Sequence, residues 1–233
     1  MNLYKKTRSY LISNTKRILG LNLLKQEAML RLALKEEGFS LKKLNIKIDH
    51  INGINIVNGI DLPIIYPKSF FNKAEVFGET EKKITFYFNG DMSDSGGRKE
   101  MLLPFLKRDS RLVESDYGRS ALTKNKFNTA YYSELAASKF GLCPHQKNFI
   151  GNPETMWTYR FIECCMVYTI PVVFEDAPLG NKFTNKFNYK SDKEVLKFDI
   201  AYEKSQAIQN HDLCIERFSL SEKYVSDIAL SIK

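Results

Sequence analysis

The sequence predicts an α/β protein in which a parallel sheet is covered by helices, preceded by a small unit of one helix and a few strands. Three observations carry this. Short apolar runs at 83–88 (KITFYF), 139–144 (KFGLCP) and 169–174 (TIPVVF) alternate with amphipathic stretches of helical length. Strands separated by helices pair in parallel, and the helices cover both faces of their sheet. A segment of different, two-residue periodicity (44–66) comes before them, across a stretch crowded with Lys, Glu and Gly at 73–83. That stretch is the expected boundary between an N-terminal part, 1–80, and a sheet domain, 81–233.

Residues 3–37 read as helix, because Leu11, Ile12, Ile18, Leu19, Leu23, Leu24, Met29, Leu30, Leu32 and Leu34 recur at spacings of three and four, and Gly38 ends the pattern. Gly20 is a point where it could divide. Leu44, Ile46 and Ile48 then alternate with polar residues, and Asn-Gly pairs at 52 and 58 are hairpin signals. After the strand at 83–88 come a turn-rich loop (89–97), a helix (98–108), a strand (111–115) and a helix at 128–138 with Asn128 as its cap. The strand at 139–144 leads to a helix over 152–167, for which Asn152 is a cap and Pro153 a suitable first residue. The strand at 169–174 follows, and 191–209 and 219–233 supply the last covering helices.

The 233 residues, 43% of them hydrophobic, suffice for one large domain or two small ones, and nothing in the composition suggests disorder. No apolar run approaches the roughly 20 residues that span a bilayer, and the first twenty residues lack the pattern of a signal peptide. The expected location is therefore cytoplasmic. Cys143, Cys164, Cys165 and Cys214 fit neither a zinc spacing nor a disulfide framework, which points to free thiols. The formal charge of +8 is confined to one end: residues 1–47 hold eleven Lys and Arg against three Glu, whereas 48–233 balance at 24 against 24. A balanced body argues against nucleic acid as a partner. The basic N-terminal helix either packs one face on the body with its lysines in water, or rests on an anionic membrane surface.

In an open parallel sheet, ligands bind beyond the carboxyl ends of the strands. Two stretches fall there. In 88–98 (FNGDMSDSGGR), Gly90, Ser93, Ser95, Gly96 and Gly97 let backbone approach an anion, and Arg98 brings charge to the next helix start. The loop matches neither a P-loop nor a G-x-G-x-x-G fingerprint. In the helix that follows the strand at 139–144, Thr155 and Thr158 add hydroxyls to the opening turns, and Arg160 and Glu163 share one face. An exposed pair at that spacing would be an ordinary surface salt bridge. Flanking apolar strands bury this helix, so its charges need partners.

The stretches YYSELAASKFGLCPHQ (131–146), TYRFIE (158–163) and TIPVVFED (169–176) resemble the C-terminal half of exostosin-like glycosyltransferases of the GT-B fold. Ser138, Lys139, Phe140, Leu142, Pro144, Thr158, Arg160, Glu163 and Pro171 match that pattern, and FYFNG with Arg98 looks like the strand and arginine that open the half. The resemblance spans about residues 84–180. It departs at His145 and Gln146, which replace Arg-Gly, and at Tyr168, which replaces a glycine. It implies a Rossmann-like, GT-B-like half and a nucleotide-sugar donor. The implied donor contacts are Gly90, Gly97, Arg98, Pro144, Thr158, Arg160 for the diphosphate and Glu163 for the ribose; no metal and no separate cofactor are expected. The acceptor would be a glycan or lipid-linked glycan of surface polysaccharide, of lipopolysaccharide or capsule type. Its hydroxyl needs a base, for which Asp91, Asp94, Asp116 and His145 remain open, with Asp91 and His145 carried forward. The alternative is a non-catalytic module that binds a nucleotide sugar or glycan. A complete GT-B enzyme has two such domains, so either the N-terminal part is a reduced acceptor domain or a partner or second copy, as in a homo-oligomer, completes the cleft.

Overall fold

The structure, a computed structural model, describes residues 25–49, 53–92, 97–114, 126–145, 158–174 and 185–232. Its centre is a five-stranded parallel sheet built from β4 (Ile84–Gly90), β5 (Ser110–Glu114), β6 (Ser138–Cys143), β7 (Ile170–Val173) and β8 (Lys190–Ser191), in the spatial order β5-β4-β6-β7-β8. Numbered along the sheet domain the order is 2-1-3-4-5, one of the two common doubly wound arrangements. The expected α/β class is what the chain adopts, with helices flanking a parallel sheet. The strands predicted at 83–88, 111–115, 139–144 and 169–174 all form. The two-residue β8, paired only through Val172 with Lys190 and Val173 with Ser191, carries too little apolar pattern to be read in advance.

On one face lie α4 (Thr129–Ala136), α5 (Tyr159–Met166) and α7 (Lys204–Phe218), packed through Tyr131, Leu135, Phe161, Cys165 and Cys214. On the other lie α3 (Arg98–Leu102), the 3-10 turn Leu103–Lys107 that continues it, and α6 (Asp192–Lys197), closed over Phe86, Phe88, Phe105, Phe140 and Phe174. Asn128 caps α4 as expected, its side chain accepting from Tyr131 N at 3.2 Å.

The N-terminal unit consists of α1 (Lys25–Glu36), the antiparallel meander β1 (Ile46–Asp49), β2 (Ile54–Val57) and β3 (Ile60–Leu62), and α2 (Lys68–Ala74). Asn58 and Gly59, the predicted hairpin pair, both take positive φ (50° and 86°) between β2 and β3, as a two-residue type I′ turn requires. Helix α1 is apolar on two sides. Ala28 and Met29 join the core shared with α4 and α5, while Leu30, Ala33 and Leu34 pack with the meander, Leu220 and Ile228 of α8 (Glu222–Ser231). A continuous core therefore runs across the sequence boundary near residue 80. Of the two expectations for the basic helix, the packed one describes 25–36; residues 1–24 lie outside the described residues. Among the described residues no helix is long and apolar enough to cross a membrane.

Two local features differ from expectation. Helix α5 starts at Tyr159, with Thr158 extended (φ −128°, ψ 135°) as its cap and its hydroxyl accepting from Arg160 N at 3.2 Å. A helix begun at Asn152 and Pro153 is thus excluded at 158, although 152–157 themselves lie outside the described residues. Tyr168, standing where a glycine was expected, adopts the glycine-like left-handed backbone (φ 59°). Its ring stacks on His211 at 4.1 Å, and its carbonyl accepts from Lys82 Nζ at 2.7 Å and Tyr202 OH at 2.9 Å. Those contacts hold a conformation that costs an L-residue about 1–2 kcal/mol. Accordingly, Tyr168→Ala loses the stack and keeps the strain, whereas Tyr168→Gly loses the stack and relieves it. Denaturant titration should find the glycine variant more stable than the alanine variant by about 1 kcal/mol; equal stabilities would mean that the backbone there is unstrained.

Candidate functional site

Strand order fixes where a ligand could enter. The chain leaves β4 for β5 on one side and returns to β6 on the other, so the topological switch point, where doubly wound sheets take their ligands, lies between the carboxyl ends of β4 and β6. Gly90 and Asp91 stand at the end of β4, and Pro144 and His145 directly follow β6. Helix α5 presents its amino end at this edge because it links the end of β6 to the start of β7. Thr158, as cap, and Arg160 belong to that first turn.

Arg160 is buried to 2% exposure, yet it reaches the end of β4: Nη2 donates to Asn89 O at 2.7 Å, and the guanidinium carbon lies 4.1 Å from the centroid of the Phe88 ring. Glycine at 90 makes this approach feasible, since a Cβ there would stand 2.6 Å from Arg160 Nη2. The structure therefore brings together Gly90 and Arg160, and Asp91 follows Gly90 in the chain. Gly97, with φ 66°, turns the chain into α3, and Arg98 is the first residue of that helix. His145 is buried at 8% exposure. Asp94, Asp116, Ser93, Ser95, Gly96, Gln146, Asn152, Pro153 and Thr155 lie outside the described residues.

Glu163, one turn further along α5, is fully buried and engaged on both oxygens. One is ion-paired with Lys25 of α1 and the other accepts from Tyr131 OH of α4 at 2.9 Å. Arg160 and Glu163, adjacent on the helix face, thus reach different partners: the arginine turns to the sheet edge, the glutamate to the N-terminal helix. Tyr159 reinforces the second contact by accepting from Gln26 N at 3.1 Å. Burial raises the Tyr159 phenol well above its ordinary range, keeping it neutral. Gln26 in turn donates to Asn55 Oδ1 at 2.9 Å, and Asn55 to Pro63 O at 2.7 Å, so α1 is tied to α5 and the meander by a buried polar chain.

A second network supports the edge. Asn89, whose carbonyl serves Arg160, donates through Nδ2 to Tyr87 OH at 3.2 Å; Tyr87 donates to Glu134 at 2.8 Å, and Glu134 also accepts from Arg111 at 2.5 Å. Lys25, Tyr131, Tyr87 and Asn89 were not foreseen as site residues. Asn89 stands within the turn-rich loop 89–97 and Tyr131 within the helix predicted at 128–138, but Lys25 is 138 positions from its partner and no local pattern announces it.

All four cysteines are free, and all four are buried, which their spacing did not indicate. Burial, with the Cys143 thiol 4.0 Å away, pushes Cys164 up well above the usual thiol range. Among the described residues no group of His, Cys, Asp or Glu is arranged to hold a metal ion. A separate cavity of about 450 Å³, lined by Gly53, Asp61, Pro63, Asn185, Arg217 and Tyr224 among others, opens between the meander and the C-terminal helices. It takes in none of the site residues read from the sequence. Set against protein-family models, curated proteins and solved structures, the chain matches none of them.

Proposed function

We propose that the switch-point crevice binds a nucleotide sugar and that the protein is a glycosyltransferase delivering that sugar to a surface-glycan acceptor of lipopolysaccharide or capsule type. The observation that carries this is the buried guanidinium of Arg160 beside Gly90 at the carboxyl end of β4. A fixed cation next to a helix amino end is the arrangement that neutralises a departing diphosphate. Gly97, Arg98, Pro144 and Thr158 would complete the donor contacts in a GT-B-like, exostosin-like half, with Asp91 or His145 as the base that takes the acceptor proton and no metal required. Contact with an anionic membrane from the cytoplasmic side would fall to the basic residues of 1–47 outside the packed face of α1.

One observation favours a second reading, a non-catalytic module for nucleotide sugars or glycans: both Glu163 oxygens, one of which a ribose diol would use, already serve Lys25 and Tyr131. Donor hydrolysis separates the two, because a transferase slowly passes its sugar to water.

A thermal-shift panel of UDP, GDP, CMP and their sugars tests the site itself. The cognate donor should raise the melting temperature by mass action, and the same compound should leave the Arg160→Ala protein unshifted. An identical shift in that variant would move the site away from α5.

A further inference from the structure

We propose that Glu163, Tyr131, Tyr159 and Tyr66 form a cage for a primary alkylammonium ion, occupied in this chain by its own Lys25. The Lys25 ammonium is ion-paired with Glu163 and lies 5.1 Å from the Tyr159 ring centroid and 5.8 Å from that of Tyr66. Tyr131 holds the carboxylate from the far side through its 2.9 Å hydrogen bond. Carboxylate supplies charge, and π faces take the place of water around the cation, an attraction that strengthens as the site is desolvated. Such a box suits an organic ammonium, whose N–H groups meet the carboxylate while its alkyl stem packs on the rings, better than an alkali ion, which has no apolar stem to set against aromatic faces.

The walls come from separate elements and have anchors of their own. Tyr66 N donates to Phe218 O at 2.6 Å; the Tyr131 ring packs edge-on against Tyr132 at 5.1 Å; Tyr159, one turn before Glu163 on α5, accepts through its OH from Gln26 N at 3.1 Å. Lys25, by contrast, arrives from the first residue of α1. The ammonium is in effect a tethered ligand, and cutting the tether should leave a site for a free one. Its class follows from the atoms removed: beyond Cβ, lysine is n-propylammonium. Nothing here requires a nucleotide sugar, so failure of one idea leaves the other standing.

The test is chemical rescue of Lys25→Ala. The variant should melt below the unsubstituted protein, and n-propylammonium chloride should raise its melting temperature by about 4 °C at ten times the dissociation constant. Sodium chloride at equal ionic strength and 1-propanol should not. The unsubstituted protein, its cage filled, and Lys25→Ala/Glu163→Gln, its cage uncharged, should both stay unshifted by the amine. An equal shift in either of these, or none in Lys25→Ala, overturns the proposal. If Lys25→Ala does not fold alone, refolding with n-propylammonium must restore a cooperative transition. A second pair gives an independent reading: Glu163→Gln added to Lys25→Met should raise the melting temperature by removing a stranded carboxylate, and a further fall would also overturn the cage.

Discussion

Glu163→Gln should melt about 10 °C below the unsubstituted protein, because breaking a buried ion pair from one side strands the other charge at about 3–5 kcal/mol, and each kcal/mol moves a chain of this size by about 2–4 °C. Glutamine keeps the shape and can still accept from Tyr131, so the loss isolates the charge left on Lys25. The damage should be directional. Lys25 opens α1, and α1 is shared between the core under α5 and the core of the meander. Amide exchange should accelerate first across 25–36 and in β2, where Asn55 continues the polar chain from Gln26. Calorimetry paired with exchange checks both parts. A shift below about 2 °C would mean that the carboxylate is not charged in the folded state or that Lys25 finds water when released.

The same residue marks the limit of what the sequence conveyed. The sheet was legible because each strand carries its own signal: apolar runs between helical stretches need no knowledge of distant residues, and β4, β5, β6 and β7 formed where those runs lie. Asn58-Gly59 was legible for the same reason, as positive φ at both positions is a local demand. Arg160 and Glu163 could be picked out as charges on a helix flanked by buried strands, and both are buried. Their partners could not, since Asn89 and Lys25 lie 71 and 138 positions away and charge pairing across the fold has no local spacing. An unbroken helix over 152–167 is expected from the sequence, and the extended backbone at Thr158 instead starts a helix at Tyr159; residues 152–157 lie outside the described residues. Tyr168 shows the converse: a left-handed position is legible when a glycine fills it and invisible when packing alone holds another residue there.

Gly141→Ala should be the most damaging single methyl in the sheet. Gly141 sits mid-strand in β6, paired with Tyr87 on one side and Pro171 on the other, so its backbone cannot move without disturbing both neighbours. An added Cβ would overlap Cys164 Sγ and press on Leu135 Cδ1 at 3.2 Å and Thr169 Cγ2 at 3.4 Å. Those contacts belong to α5, α4 and the turn into β7, so no one rotamer relieves them. Cys164 is fully buried against Cys143, which leaves its sulfur little room to retreat. Overpacking of this kind costs about 1–3 kcal/mol, and the upper end is expected because the obstruction is a short side chain beside backbone. Glycine here is what lets α5 lie close enough to the sheet for Arg160 to reach Asn89 O at 2.7 Å. Lifting the helix should therefore weaken any ligand that depends on Arg160 as well as the fold. Cys164→Ala supplies the control: it removes the obstructing atom, so the double variant should regain most of the stability lost by Gly141→Ala in a denaturant titration. If the two substitutions simply add, the close approach of α5 to β6 is not what the glycine serves.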